Sequence, residues 1–174
     1  MKPYQEHQKA APHDVKISII TVSTSKYIEA QKEKEVDDKS GALIRKMVEK
    51  TGYRIVSQKL IDDNIEMIRL TLLKSIYDEG AEAVIITGGT GISPRDVTIE
   101  SVQPLFDKEL EGFGEVFRNI SFHQIGSPAQ LSRATAGVID NRIVYCVPGS
   151  PNAVEPALEI ILPELPHAVS MARK

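Results

Sequence analysis

Val84 to Asp96 read VIITGGTGISPRD, a short β-branched apolar string, a four-residue turn with three glycines, and an Arg-Asp pair after a further three residues. Such a string suits a strand covered on both faces, and glycines directly after it let backbone N–H groups approach an anion closely. Alone, the turn is a weak signal. It lacks the Lys of a P-loop and does not match GxGxxG, and most glycine clusters only reverse a chain.

The flanking sequence supplies the fold. Upstream, VKISIITV (15–22) predicts a first strand, followed by a polar loop rich in Lys and Glu. In DKSGALIRKMVEKTG, Leu43, Ile44, Met47 and Val48 recur at helical spacing, with Asp38 or Ser40 placed to cap the helix and Gly52 to end it. YRIVSQKLI predicts a second strand. NIEMIRLTLLKSIYDEG predicts a helix with Ile65, Ile68, Leu72 and Ile76 on one stripe and Gly80 as its stop, and AEAVIIT is the third strand. This regular alternation is the pattern of a parallel sheet with helices on its faces, an α/β fold of three αβα layers.

Downstream, a short helix is expected near VTIESVQPLF and a longer one in GFGEVFRNISF, with Phe113, Val116, Phe117 and Ile120 sharing a face. AGVIDNRIVYCV carries Asp140-Asn141 between apolar runs, the signal of a tight hairpin, so the mostly parallel sheet gains an antiparallel part. The tail NAVEPALEIILPELPHAVSMARK reads as helical, with Pro163 starting a new helix or kinking the old one.

A chain of 174 residues is long enough for one buried core and short for two, so residues 15–174 are expected to form a single domain. The polar stretch 1–14 reads as a flexible arm, and the chain as cytoplasmic, since no apolar run approaches the roughly 18 residues needed to span a bilayer. A net charge of -3, with Lys and Arg scattered among Asp and Glu, argues against broad nucleic-acid binding but allows a local anion pocket. Cys146, the only cysteine, lies in an apolar run and reads as a small buried residue. His7, His13, His123 and His167 show no metal-ligand spacing, and no serine sits in GxSxG.

In an open α/β sheet, ligands bind beyond the carboxyl ends of the strands. Four loops qualify here: Ser23-Thr24-Ser25, Asp62-Asp63-Asn64, Gly88-Gly89-Thr90-Gly91, and Pro148-Gly149-Ser150-Pro151-Asn152. Asp96, five residues past GGTG, and Asp63, at the end of the neighbouring strand, are suited to holding a divalent cation among phosphates; either could equally cap the helix that follows it. Ser150 could offer a hydroxyl at a helix start, and Arg133 of Ser132-Arg133 could pair with a phosphate or with a surface carboxylate.

Taken together, VIITGGTGISPRDVTIESVQPLFDKELEGFGEVFR, SRATAG and CVPGSPNAV resemble the MoaB/Mog family of molybdenum-cofactor biosynthesis proteins, which includes the G domains of gephyrin and the plant Cnx proteins. The likeness spans about residues 15–170. It implies a three-layer fold and an adenylyltransferase that uses ATP and Mg²⁺ to attach AMP to the terminal phosphate of molybdopterin, releasing pyrophosphate. It also implies a homotrimer or hexamer, and a downstream metal-insertion protein as a partner. By position, the family's glycine turn falls on Gly88, Gly89, Thr90 and Gly91, and its aspartates on Asp63 and Asp96. Its pocket positions fall on Ser23, Ser132, Arg133, Pro148, Gly149 and Ser150. Many relatives read SDR or SDT after the first strand, so Thr24 stands where a pocket carboxylate is expected. Some members of the family are non-catalytic pterin-binding or scaffolding oligomers; the presence of both Asp63 and Asp96 favours the enzyme.

Overall fold

A computed structural model describes residues 14–174, so nearly all of the expected N-terminal arm, with His7 and His13, lies outside the described residues. Six strands form one sheet: β1 (Lys16–Val22), β2 (Arg54–Ile61), β3 (Ala83–Thr87), β4 (Lys108–Glu109), β5 (Thr135–Ile139) and β6 (Arg142–Val147). Their order is β2-β1-β3-β6-β5-β4. The first four neighbours in that order run parallel, and β5 pairs antiparallel with both β6 and β4. The β5–β6 connection is the expected hairpin: Asp140 and Asn141 both have positive φ, 44° and 63°, as a primed two-residue turn requires.

Among the described residues, six α-helices complete the fold: α1 (Thr24–Gln31), α2 (Lys39–Thr51), α3 (Ile65–Tyr77), α4 (Thr98–Val102), α5 (Glu111–Ile125) and α6 (Pro151–Ala172). Alternation along the central strands sends side chains to two cores. Ile17, Ile19, Ala83, Ile85, Ile143 and Tyr145 pack with α2, α5 and α6 on one face. Ile20, Val84, Ile86, Val144 and Cys146 pack with α3 and α4 on the other. The result is the three-layer arrangement expected from the strand–helix alternation. Among the described residues no helix is long and apolar enough to cross a membrane.

Several local expectations need correction. The polar stretch after β1 begins as the helix α1, which buries none of its residues, so no apolar periodicity marks it. The tail is one continuous helix through Pro156, Pro163 and Pro166, and Pro163 does not begin a new one. Ile65 and Val116 are exposed, although their stripe partners Ile68, Leu72, Ile76, Phe113 and Phe117 are buried. β5, the strand before Asp140 and Asn141, also pairs β4, a two-residue strand too short to read from sequence.

Candidate active site

The carboxyl ends of β1, β2, β3 and β6 lie side by side, and the loops leaving them enclose a cleft of about 750 Å³. Of the residues singled out from the sequence, Ser23, Thr24, Ser25, Asp63, Gly88, Gly89, Thr90, Gly91, Asp96, Ser132, Arg133, Pro148, Gly149 and Ser150 line it. Asp62, Asn64, Pro151 and Asn152, from the same loops, do not. The Asn64 side chain caps α3 by accepting from Met67 N at 3.0 Å, which frees Asp63 from the capping role that the sequence left open.

The GGTG turn takes its shape from steric demand. Gly88 and Gly89 have φ of 96° and 61°, a region that disfavours any side chain. A Cβ on Gly88 would collide with the Val22 carbonyl, and one on Gly89 with Thr98 Oγ1 and Asp63. Thr98 then clamps the turn, its hydroxyl donating to Gly88 O at 2.9 Å and its N–H to Gly89 O at 2.9 Å.

Asp63 and Asp96 are each held by a backbone donor. Asp63 Oδ1 accepts from Val97 N at 3.1 Å, and Asp96 Oδ2 accepts from Ser93 N at 3.1 Å. Asp96 therefore closes its own turn and does not cap α4, whose preceding residue Val97 makes no side-chain cap. Asp63 Oδ2 and Asp96 Oδ1 accept no hydrogen bond among the described residues. Burial, and secondarily the charges of Asp96, Asp62 and Glu100, raise the Asp63 carboxyl above the ordinary aspartate range, although the Val97 bond opposes this.

These two carboxylates suit a magnesium ion. No cluster of three or more His, Cys, Asp or Glu converges among the described residues, so a closed all-protein cage is not built there. Mg²⁺ commonly needs only one or two carboxylates, with substrate phosphates and water completing its shell. Two carboxylate oxygens without a hydrogen-bond donor match that donor set.

Arg133 donates to Gly91 O at 2.9 Å and pairs with Glu100. Burial alone would raise the Glu100 carboxyl, but the Arg133 contact outweighs it and holds the group low. The ion-pair and pocket readings of Arg133 therefore coexist. On the β6 side, Thr87 Oγ1 donates to Pro148 O at 2.9 Å and Ser40 Oγ to Gly149 O at 2.7 Å, fixing the loop before α6. Ser150 precedes α6 without capping it by its side chain. Complete burial pushes the Cys146 thiol well up, consistent with a packing role.

Sequence reasoning missed Lys26, Ser93 and Arg95, which also line the cleft, and the clamps Thr98, Thr87 and Ser40. Only Thr98 had a usable signal, standing two residues after Asp96 at a helix start.

The family described as "Probable molybdopterin binding domain" matches residues 18–167. The molybdenum cofactor biosynthesis protein B of Bacillus subtilis (strain 168) is 44% identical over 172 residues, covering 98% of this chain and 97% of its own. The molybdopterin adenylyltransferase of Pyrococcus furiosus is 45% identical over 174 residues, covering 98% of each chain. The crystal structure of the tungsten cofactor synthesizing protein MoaB from that organism superposes with a TM-score of 0.83 at 44% identity, over 94% of this chain and 100% of that one.

Proposed function

This chain belongs to the molybdopterin-binding family matched over residues 18–167, and from that premise we propose that it adenylylates molybdopterin with ATP in molybdenum or tungsten cofactor biosynthesis. Relatives named molybdopterin adenylyltransferase, from Pyrococcus furiosus and, as probable, from Methanocaldococcus jannaschii, are 45% and 40% identical to it. A single observation carries the mechanism. Two carboxylates, each with one oxygen tied to a backbone N–H, line one cleft together with two glycine loops.

A terminal phosphate oxygen of molybdopterin attacks the α-phosphorus of ATP. A new P–O–P bond forms, the α–β anhydride breaks, and the electron pair leaves with pyrophosphate. Gly88 to Gly91 and Pro148 to Ser150 position the anions through backbone donors, and Ser23, Thr24, Ser132 and Arg133 complete the pocket. Asp63 and Asp96 would hold Mg²⁺ directly or through water. The ion would offset charge on the transferring group and the pyrophosphate. No covalent intermediate with the protein is needed.

Residues 15–174 act as one domain in this reading, in the cytoplasm. The exposed apolar residues Val116, Phe122 and Ile125 on α5, with Leu131 beyond it, support self-association into a homotrimer or hexamer. A downstream metal-insertion protein is the natural recipient of the adenylylated product. Light scattering on the purified chain measures the assembly directly.

Asp63→Asn and Asp96→Asn each retain a side-chain oxygen for the Val97 or Ser93 donor while weakening the cation site. Each is expected to bind molybdopterin but to lose roughly 100- to 1000-fold in product formation with ATP and Mg²⁺. Parental rates in both variants would remove the metal-site assignment. Molybdopterin binding by the parental protein, without product over a long incubation, would instead identify a scaffold.

A further inference from the structure

The cleft straddles the two helical layers. Asp63 precedes α3 and bonds the residue before α4, so the carboxylates belong to the α3/α4 side. Lys26 pairs with Asp38, the cap of α2, and Ser40 of α2 bonds the loop before α6, so these groups belong to the α2/α6 side.

Three cationic side chains line the cleft: Lys26, Arg95 and Arg133. Arg133 is committed to Gly91 O and Glu100. Arg95 is exposed, and its guanidinium makes no ion pair among the described residues. Lys26 differs from both. Its side chain is only 28% exposed, with Nζ 3.4 Å from Asp38 Oδ1.

Asp38 is itself immobilised. Thr21 Oγ1 donates to Asp38 Oδ2 at 2.6 Å and Gly41 N to Oδ1 at 3.1 Å, and a Cβ on Gly41 would collide with that carboxylate. One long contact to Asp38 leaves the Lys26 ammonium two further N–H donors. The first turn of α1 carries no acidic residue, so its N-terminal partial charge reinforces Lys26 there.

We propose that Lys26 is a phosphate-binding residue of this cleft, held in place by Asp38 as a positioning residue on the side away from the Asp63/Asp96 pair. The proposal rests on the adenylyl-transfer reading, in which phosphate groups enter on both substrates and leave as pyrophosphate. The nucleotide's polyphosphate and the terminal phosphate of molybdopterin present the same chemistry, non-bridging oxygens with negative charge.

The test is calorimetric titration of the full chain with inorganic pyrophosphate and, separately, with molybdopterin. The variants are Lys26→Met, Lys26→Arg and the double change Lys26→Met with Asp38→Asn, where Asn preserves the helix cap. Lys26→Met is expected to weaken at least one probe by about tenfold or more. Lys26→Arg should recover most of that affinity, and the double variant should stay weak. Loss confined to pyrophosphate assigns Lys26 to the nucleotide, and loss confined to molybdopterin assigns it to the pterin phosphate.

Unchanged affinity of Lys26→Met for both probes overturns the proposal. So does full recovery in the double variant, because Lys26 would then merely neutralise Asp38. Product formation by the parental chain is measured alongside. A parent that makes no product, yet binds a probe through Lys26, refutes the transferase reading alone. A parent that makes product, with Lys26→Met binding both probes normally, refutes the Lys26 assignment alone.

Discussion

The two glycine loops of the cleft come within contact distance of each other but are built on opposite terms. GGTG depends on conformation: Gly88 and Gly89 occupy positive φ, and their missing side chains make room for Val22 O, Thr98 Oγ1 and Asp63. The Pro148-Gly149-Ser150 loop depends on tethering. Gly149 is not among the residues with positive φ, and the loop is held by donors from Thr87 and Ser40 to its carbonyls. A rule follows. Adding a side chain should damage the first loop most, whereas the second should be sensitive to its tethers and tolerant of added bulk.

The largest effect is expected at Gly89→Ala, where strain and collision act together. A stability loss of roughly 2–5 kcal/mol and background-level product formation are predicted, read by thermal unfolding and by the adenylylation assay. A melting temperature close to that of the parental protein would mean that the turn can relax, and the contrast between the loops would collapse.

Next comes Thr98→Val, which keeps the shape of a fully buried residue but removes the donor to Gly88 O. Leaving that carbonyl without its partner should cost about 1–2 kcal/mol and slow product formation, and Thr98→Ser should recover most of both. Failure of the serine variant to recover would show that the threonine methyl, and not the hydroxyl, supports the turn.

What the sequence made legible follows the same division. β1 and β3 are fully or nearly fully buried, central strands with one outcome, and α2 and α3 carry side-chain caps and apolar stripes that specify them. The glycines were legible because few residue types can occupy such a turn, and the place of Asp63 and Asp96 in the cleft because both follow the carboxyl ends of parallel strands. Tethers were not legible. Ser40 lies 109 positions from Gly149 and Thr87 lies 61 from Pro148, so only the folded sheet brings each donor to its acceptor. The helix α1 was hidden for a different reason: with none of its residues buried, its sequence carries no trace of the core. Lys26 was lost with it, because a lysine in a polar run gives no sign that a carboxylate 12 positions away will hold it.

On the tethered side, Ser40→Ala should have a smaller effect than Thr98→Val. Ser40 is buried but its acceptor residue, Gly149, is exposed, so water can satisfy the carbonyl once the hydroxyl is gone. A loss of about 0.5–1 kcal/mol is predicted in denaturant unfolding. A loss as large as that of Thr98→Val would show that this tether is sealed from solvent.

The smallest stability effect is expected at Gly149→Ala. The added Cβ would lie 3.0 Å from Gly88 Cα, close enough to push the backbone by a few tenths of an ångström. Against that strain stands the reduced freedom of the unfolded chain when glycine becomes alanine, a gain of about 0.4–1 kcal/mol, so the two nearly cancel in stability. They do not cancel in function, because the displaced neighbour is the first glycine of the turn proposed to position the substrate anions. Gly149→Ala should therefore melt within a few degrees of the parental protein while forming product several-fold more slowly. Equal damage to stability at Gly149 and Gly89 would show that both loops are conformationally constrained. Unchanged product formation would show that the backbone donors of GGTG tolerate the displacement, and that the two walls of the cleft act independently.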